Sequence, residues 1–246
     1  MKSTPLLMTG VNVRAILEGR KTHTRRIMKV QPVLTGKINA YTPFEQDAWL
    51  WKGGPCLQRV GYGAPLVHTD LEHMKKAAIK VSPYGNKGDK LWIKETWQPH
   101  YSDTMGQFCV KYRADDTCVR RVNWTRDQHA WIKARANAGK WRPSLLMFRW
   151  ASRITITLTV DVRVERVQEI SEADAIAEGI MRHPMKTSAG TTYTYSHLTP
   201  QQMFDSECCE SGSTAAEGYR ILWEFINGPK SWDLNPWVYV LEFKRA

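Results

Sequence analysis

The chain has 246 residues, 42% of them apolar, and a formal charge of +11. That length suits a single generous domain, no run approaches the ~18–20 apolar residues of a membrane-spanning helix, and the N-terminus lacks the sustained apolar core of a secretory signal. A cationic surplus of this size attracts phosphates and favours nucleotide or nucleic-acid partners, although a basic protein without such a partner carries the same charge.

In chain order, residues 11–18 form the first expected helix, with Val13, Ile16 and Leu17 on one face and Gly19 as its stop. The segment GRKTHTRR, residues 19–26, is dense in cations and hydroxyls. Residues 32–80 are weakly patterned and are expected to be an insertion with some strand content. The stretch YGNKGDKLWIKETW, residues 84–97, begins as a turn and becomes a strand. Its alternation puts Leu91, Ile93, Glu95 and Trp97 on one side, and Trp92, Lys94 and Thr96 on the other. A carboxylate among apolar neighbours is costly to bury unless paired, so Glu95 is either half of an ion pair, with Arg26 as a candidate, or a substrate contact.

Residues 100–149 carry tryptophans among basic residues and read as helical around 127–138, with a basic side facing outward. The sequence SRITITLTVDVRV shows the clearest period of two. Ile154, Ile156, Leu158, Val160, Val162 and Val164 predict one long half-buried strand. ISEADAIAEGI follows, with Ser171 as N-cap, a two-turn helix over 172–178 and Gly179 as the stop. Residues 181–215 are polar and are expected to be a mobile loop. A helix marked by Tyr219, Leu222, Trp223 and Ile226 and a final strand, PWVYVLEFKR, complete the order. Strands and helices interleave without a βαβ rhythm, which predicts an α+β fold with a curled sheet or barrel. The five cysteines have no zinc-ligand spacing and read as reduced thiols of a cytoplasmic protein. With the histidines scattered, neither a metal nor a cofactor is expected.

These segments together resemble the ASCH family of PUA-like barrels, whose signature G-x-K-x-x-E-x-R stands here as Gly19, Lys21, Thr24 and Arg26, with Thr in place of Glu. The chain is most similar to large phage and prophage members, through GRKTHTRR, GDKLWIKETW, WRPSLLMFRWASRITI, ISEADAIAEGI and NPWVYVLEFKR. The resemblance covers roughly half the chain. It implies one PUA-like (ASCH) small β-barrel domain with flanking helices and insertions at about 32–80, 100–149 and 181–215, in the cytoplasm of a bacterial or phage-infected cell. Short bacterial N4-acetylcytidine amidohydrolases of this family share the Thr substitution, a Glu near the end of a short helix after a long strand, and a similar last strand. That similarity implies Lys21, Thr24 and Glu178 as a catalytic set.

The expected chemistry is release of the acyl group from an N4-acylated cytosine nucleoside, with Thr24 as nucleophile, Lys21 as base and Glu178 orienting the lysine or the substrate amine. A threonine hydroxyl needs such help. A lysine serves as base only if burial or nearby cations, here Arg20, Arg25 and Arg26, lower its pKa from ~10.4. Because residues three apart on a strand face opposite ways, Lys21 and Thr24 can act together only across a turn or bulge. Arg26, Glu95, Trp92, Trp97, His23 and Tyr84 are the candidate substrate contacts. Trp92, Trp97 and Tyr84 could stack on a base, while tryptophans at strand spacing also suit a core. Glu178 could equally be an exposed carboxylate at a helix C-terminus, where the macrodipole disfavours it by roughly 0.3–1 kcal/mol. The rival reading is a non-catalytic module for RNA or another single-stranded nucleic acid. RNA cleavage is a third, with no metal constellation or obvious histidine pair behind it.

Overall fold

The computed structural model describes residues 3–35, 48–51, 66–68, 71–102, 107–119, 125–136, 139–188, 190–199 and 210–246. In chain order these give β1 (Ser3–Leu7), α1 (Gly10–Leu17), β2 (His23–Ile27), β3 (Val33–Thr35), β4 (Ala48–Trp51), β5 (Leu66–His68), α2 (Leu71–Lys80), β6 (Lys90–Lys94), β7 (Trp97–Ser102), β8 (Gln107–Tyr112) and β9 (Cys118–Val119). After them come α3 (Arg126–Lys133), β10 (Thr155–Leu158), β11 (Arg163–Arg166), α4 (Glu172–Ala177), β12 (Met181–Thr187), β13 (Gly190–Ser196), α5 (Ala215–Asn227) and β14 (Trp237–Arg245). The architecture is mixed α+β, built on a curled half-barrel sheet with few helices.

The sheet is organised by β14. Val240 pairs with Arg163 of β11 and with Arg25 of β2, so its two edges are both occupied. The strand is long enough for β10 to take up the first edge where β11 leaves it, at Leu158↔Phe243. β10 continues to β6, and β6 to β1, the one parallel pair of this sheet. The long strand expected over 154–164 is therefore two strands with a bend at 159–162. Both halves pair with β14, so apolar alternation survives the corner, where the Asp161 carboxylate accepts from the Lys87 N–H at 2.9 Å.

Leu6, Leu91, Ile156, Leu241 and Phe243 of the sheet pack with Val13 and Ile16 of α1 and Met74 of α2 to form the main core. A second cluster joins Val238 and Val240 to Ala175 of α4 and Tyr219, Leu222 and Trp223 of α5. Glu172 ties these two helices together by accepting from the Ala215 and Ala216 N–H groups at 2.7 and 3.1 Å, which caps the first turn of α5 from outside. Gly218 is needed where α5 crosses β13, because a Cβ there would lie 2.8 Å from the Tyr195 carbonyl oxygen.

Three further expectations are corrected. The polar stretch expected as a mobile loop contains the β12–β13 hairpin, paired from Met181↔Ser196 to Thr187↔Gly190. Its Thr and Tyr residues favour extended backbone, a preference that polarity conceals. The cysteines are not all free thiols, since Cys109 and Cys118 form a disulfide between β8 and β9 with Cα atoms 6.0 Å apart. In the 100–149 region Trp131 packs into a third core cluster around Trp97 rather than onto a displayed surface. Trp97 stacks on Trp131 at 5.8 Å, Trp150 and Phe148 meet them edge-on, and Arg135 and Arg142 lie over the Trp131 ring. Trp124, Arg120 and Arg121 lie outside the described residues. No helix among the described residues is long and apolar enough to cross a membrane.

Candidate functional site

Two helix ends dock against each other to make the site. α1 stops at Gly19 with φ +75°, and the Arg20 and Lys21 N–H groups both fold back to the Ala15 carbonyl at 2.9 and 3.0 Å. The chain then crosses to α4, where the Thr22 N–H donates to the Ala177 carbonyl at 2.8 Å, before β2 begins at His23. That irregular passage is the turn Lys21 and Thr24 require. α4 starts at Ser171, whose hydroxyl accepts from the Asp174 N–H at 3.1 Å, and ends with Glu178 as its cap. Gly179 follows at φ +100°, so close to α1 that a Cβ would sit 3.1 Å from the Ala15 Cβ. A side chain at residue 179 would hold the two helix ends apart.

Lys21 and Glu178 meet at this junction, both almost completely buried at 3% and 2% exposure. The Lys21 ammonium is hydrogen-bonded to the Glu178 carboxylate and donates to the Glu178 carbonyl at 2.8 Å. It thereby occupies the helix C-terminus, where a cation is favourable, and offsets the misplaced carboxylate. Arg25, also buried, approaches the other Glu178 oxygen at 3.5 Å and bonds Asp174 at 2.7 Å and Glu165 at 3.1 Å. Tyr219 of α5 lies close enough for its phenol to feel the Glu178 charge. One carboxylate thus gathers an ammonium, a guanidinium and a phenol.

This crowding sets the proton equilibria. Burial pulls the Lys21 pKa below 10.5; Glu178 opposes that shift, and the Arg26 and Arg25 charges add to it. Burial first, and then the Glu178 charge, push the Tyr219 phenol well above 10, so it remains a donor. Arg25 is raised because its carboxylates outweigh its burial.

A cavity of about 240 Å³ opens in front of the junction. Thr24, Arg25, Arg26, Tyr84, Glu178, Tyr219, Trp223 and the amides of Asn12 and Asn227 line it, with Ile27, Leu222 and Ile226 completing the wall. Lys21 is not part of the wall and touches the cavity through Glu178. Of the residues expected at the site, Lys21, Thr24 and Glu178 are brought together, and Arg26 and Tyr84 join them. Four are not. Glu95 is buried in a two-pronged pair with Arg153, both contacts 2.8 Å, so its partner is Arg153 and not Arg26. Trp97 is fully buried and its face is taken by Trp131, which leaves it no surface for a base. Trp92 carries the cations of Lys94 and Arg149 over its ring and does not line the cavity. His23 turns away from Thr24, toward Thr22 at 3.1 Å and Glu242 at 3.5 Å.

Sequence reasoning missed Tyr219, Asn12 and Asn227 as wall residues and took Arg25 only as a nearby cation. Tyr219 and Asn227 lie on α5, more than 190 residues beyond Thr24 in the chain, and no local pattern links them. The described residues hold no cluster of three or more His, Cys, Asp or Glu side chains that could bind a metal ion. The chain matches no family model, no curated protein and no solved structure.

Proposed function

We propose that this chain is a hydrolase of an amide bond to a nucleobase, releasing the acyl group from an N4-acylated cytosine nucleoside. On this reading the curled half-barrel is a PUA-like (ASCH) domain with insertions. The observation that carries the proposal is the buried Lys21–Glu178 pair directly behind a cavity that Thr24 helps to line. A volume of ~240 Å³ lies below the 300–1,000 Å³ of drug-sized pockets and suits a base with its sugar. The amides of Asn12 and Asn227 offer donors and acceptors to the polar edge of a base.

In the reaction, the Thr24 oxygen attacks the acyl carbon while its proton passes to the Lys21–Glu178 pair, with Lys21 neutral beforehand. Arg26, on the cavity wall, stabilises the tetrahedral oxyanion. Collapse breaks the C–N bond, and the proton returns to the departing amine. Water then attacks the threonyl ester, gives its proton to the same pair, and releases the carboxylic acid and the free hydroxyl. Tyr219, held protonated, keeps the Glu178 carboxylate in place. The test is acid release from N4-acetylcytidine by the purified protein. No release across a panel of N4-acylcytidines would remove the proposal.

A second reading, binding of nucleic acid without chemistry, draws on a larger arginine-lined cavity beside the first, formed by Arg14, Arg26 and Arg113. It predicts affinity whose logarithm falls linearly with the logarithm of salt concentration.

A further inference from the structure

The larger cavity, about 740 Å³, shares Asn12, Arg26 and Ile226 with the smaller one, so the two adjoin across these side chains. Its charge is one-sided. Arg14, Arg26 and Arg113 line it together with Thr9, Thr96 and Ser144, and among the described residues no Asp or Glu is in its wall. By contrast, the buried Arg25 meets Glu165, Asp174 and Glu178, and the half-buried Arg153 meets Glu95 and Asp115. The three cavity arginines have no carboxylate within ion-pair distance among the described residues.

Among the described residues the Arg14 side chain bonds the Ala114 carbonyl, at 2.6 Å, and Arg26 bonds the Leu7 carbonyl, at 2.6 Å, and the Met8 sulfur. The Arg26 Nε is buried without a partner. A guanidinium held in a partly dry wall without a counter-ion is costly, and an anion entering from solvent removes that cost. Gly10 and Val11, the first residues of α1, line the same cavity, and the first-turn N–H groups of a helix have no acceptor within it. That turn contains no acidic residue, so its partial positive charge adds to the arginines.

We propose that this cavity is a phosphate subsite for the ligand whose base occupies the smaller cavity, which makes a nucleotide unit the tighter-bound form of the substrate and the free nucleoside the weaker one. The inference rests on the nucleoside reading of the smaller cavity, but its test requires no turnover. The phosphate can be that of a mononucleotide or the diester of a single-stranded chain, and the probes separate these sources.

The experiment is calorimetric titration of the full chain at low salt with cytidine, its 5′- and 3′-monophosphates and a short cytidine-containing oligonucleotide. A monophosphate or the oligonucleotide is expected to bind at least ~10-fold more tightly than cytidine, with the advantage shrinking as salt rises. The tighter of the two identifies the phosphate source. Arg14→Gln and Arg113→Gln should each lower that ratio; Arg113 is exposed, so its variant remains informative if Arg14→Gln fails to fold. Arg126→Gln, on the exposed start of α3, should leave the ratio intact. Equal affinity for cytidine and its phosphates overturns the subsite, as does an equal fall of the ratio in Arg126→Gln, which would mean net charge alone. Arginine-dependent nucleotide binding without release of acid from any acylcytidine sinks the hydrolase reading and leaves the subsite standing.

Discussion

Glu18 and Glu178 occupy the same local position and meet opposite surroundings. Each caps the C-terminus of a helix ending in Ala-Ile-x-Glu-Gly, and each precedes a glycine at positive φ. Glu18 lies at the surface beside Arg20, its side chain 45% exposed, whereas Glu178 is buried against Lys21, Arg25 and Tyr219. Local sequence makes both caps, and tertiary packing decides which one has a task.

That contrast gives a paired measurement. Glu178→Gln leaves the Lys21 charge uncompensated in the interior, while Arg25 keeps Glu165 and Asp174, and is expected to cost about 3–5 kcal/mol of stability. Glu18→Gln should change stability by less than about 0.5 kcal/mol. Urea denaturation of both variants checks this; similar midpoints would mean that the buried pair is not the keystone described.

Thr24→Val keeps the shape of the side chain and removes its oxygen. Acid release should fall by at least ~100-fold, while Thr24→Ser retains measurable turnover. Steady-state assays on folded variants decide, and full activity in Thr24→Val would assign the nucleophile elsewhere.

Burial, the first cause of the lowered Lys21 pKa, makes the neutral amine available at lower pH than for a free lysine. The rate should therefore rise with pH and level off through an inflection below 10.5. A rate that falls over this range would exclude the Lys21–Glu178 pair as the proton acceptor.

Glu95→Gln tests the assignment of that carboxylate to structure. With Arg153 left facing a neutral amide but keeping Asp115, stability should drop by about 1–3 kcal/mol. An unchanged denaturation midpoint would mean that the pair contributes nothing measurable.

The Cys109–Cys118 bridge predicts that two of the five cysteines resist alkylation until a reductant is added. Closing so short a loop stabilises by about 2–3 kcal/mol, so reduction should also lower the melting temperature. Alkylation of all five without reductant would contradict the bridge.

The parts of the fold that could be read in the sequence are those fixed locally. Gly19 and Gly179 mark real helix ends, Ser171 is a real cap, and Lys21 and Glu178 meet at one junction. What stayed hidden depends on distant partners. The corner at Asp161 leaves the apolar alternation unbroken because both flanking strands pair with β14, so periodicity could not reveal it. Glu95 was recognisable as a carboxylate needing a partner, but which arginine supplies it depends on the packing of Arg153 against β6 and Asp115. Tyr219 shows only as one more apolar-face residue of α5, since what makes it part of the site is its distance to Glu178.

The position of β14 between β2 and β11 also bears on how the molecule is made. Gln31 bonds the Trp237 carbonyl across a separation of 206 residues, and β2 pairs with β14 over a comparable span. As the chain leaves the ribosome, Lys21 and Arg25 emerge long before the strand that anchors their own, with their carboxylate partners at 165, 174 and 178 still to come. The two cavities are therefore late products of folding, and neither is complete until β14 has docked.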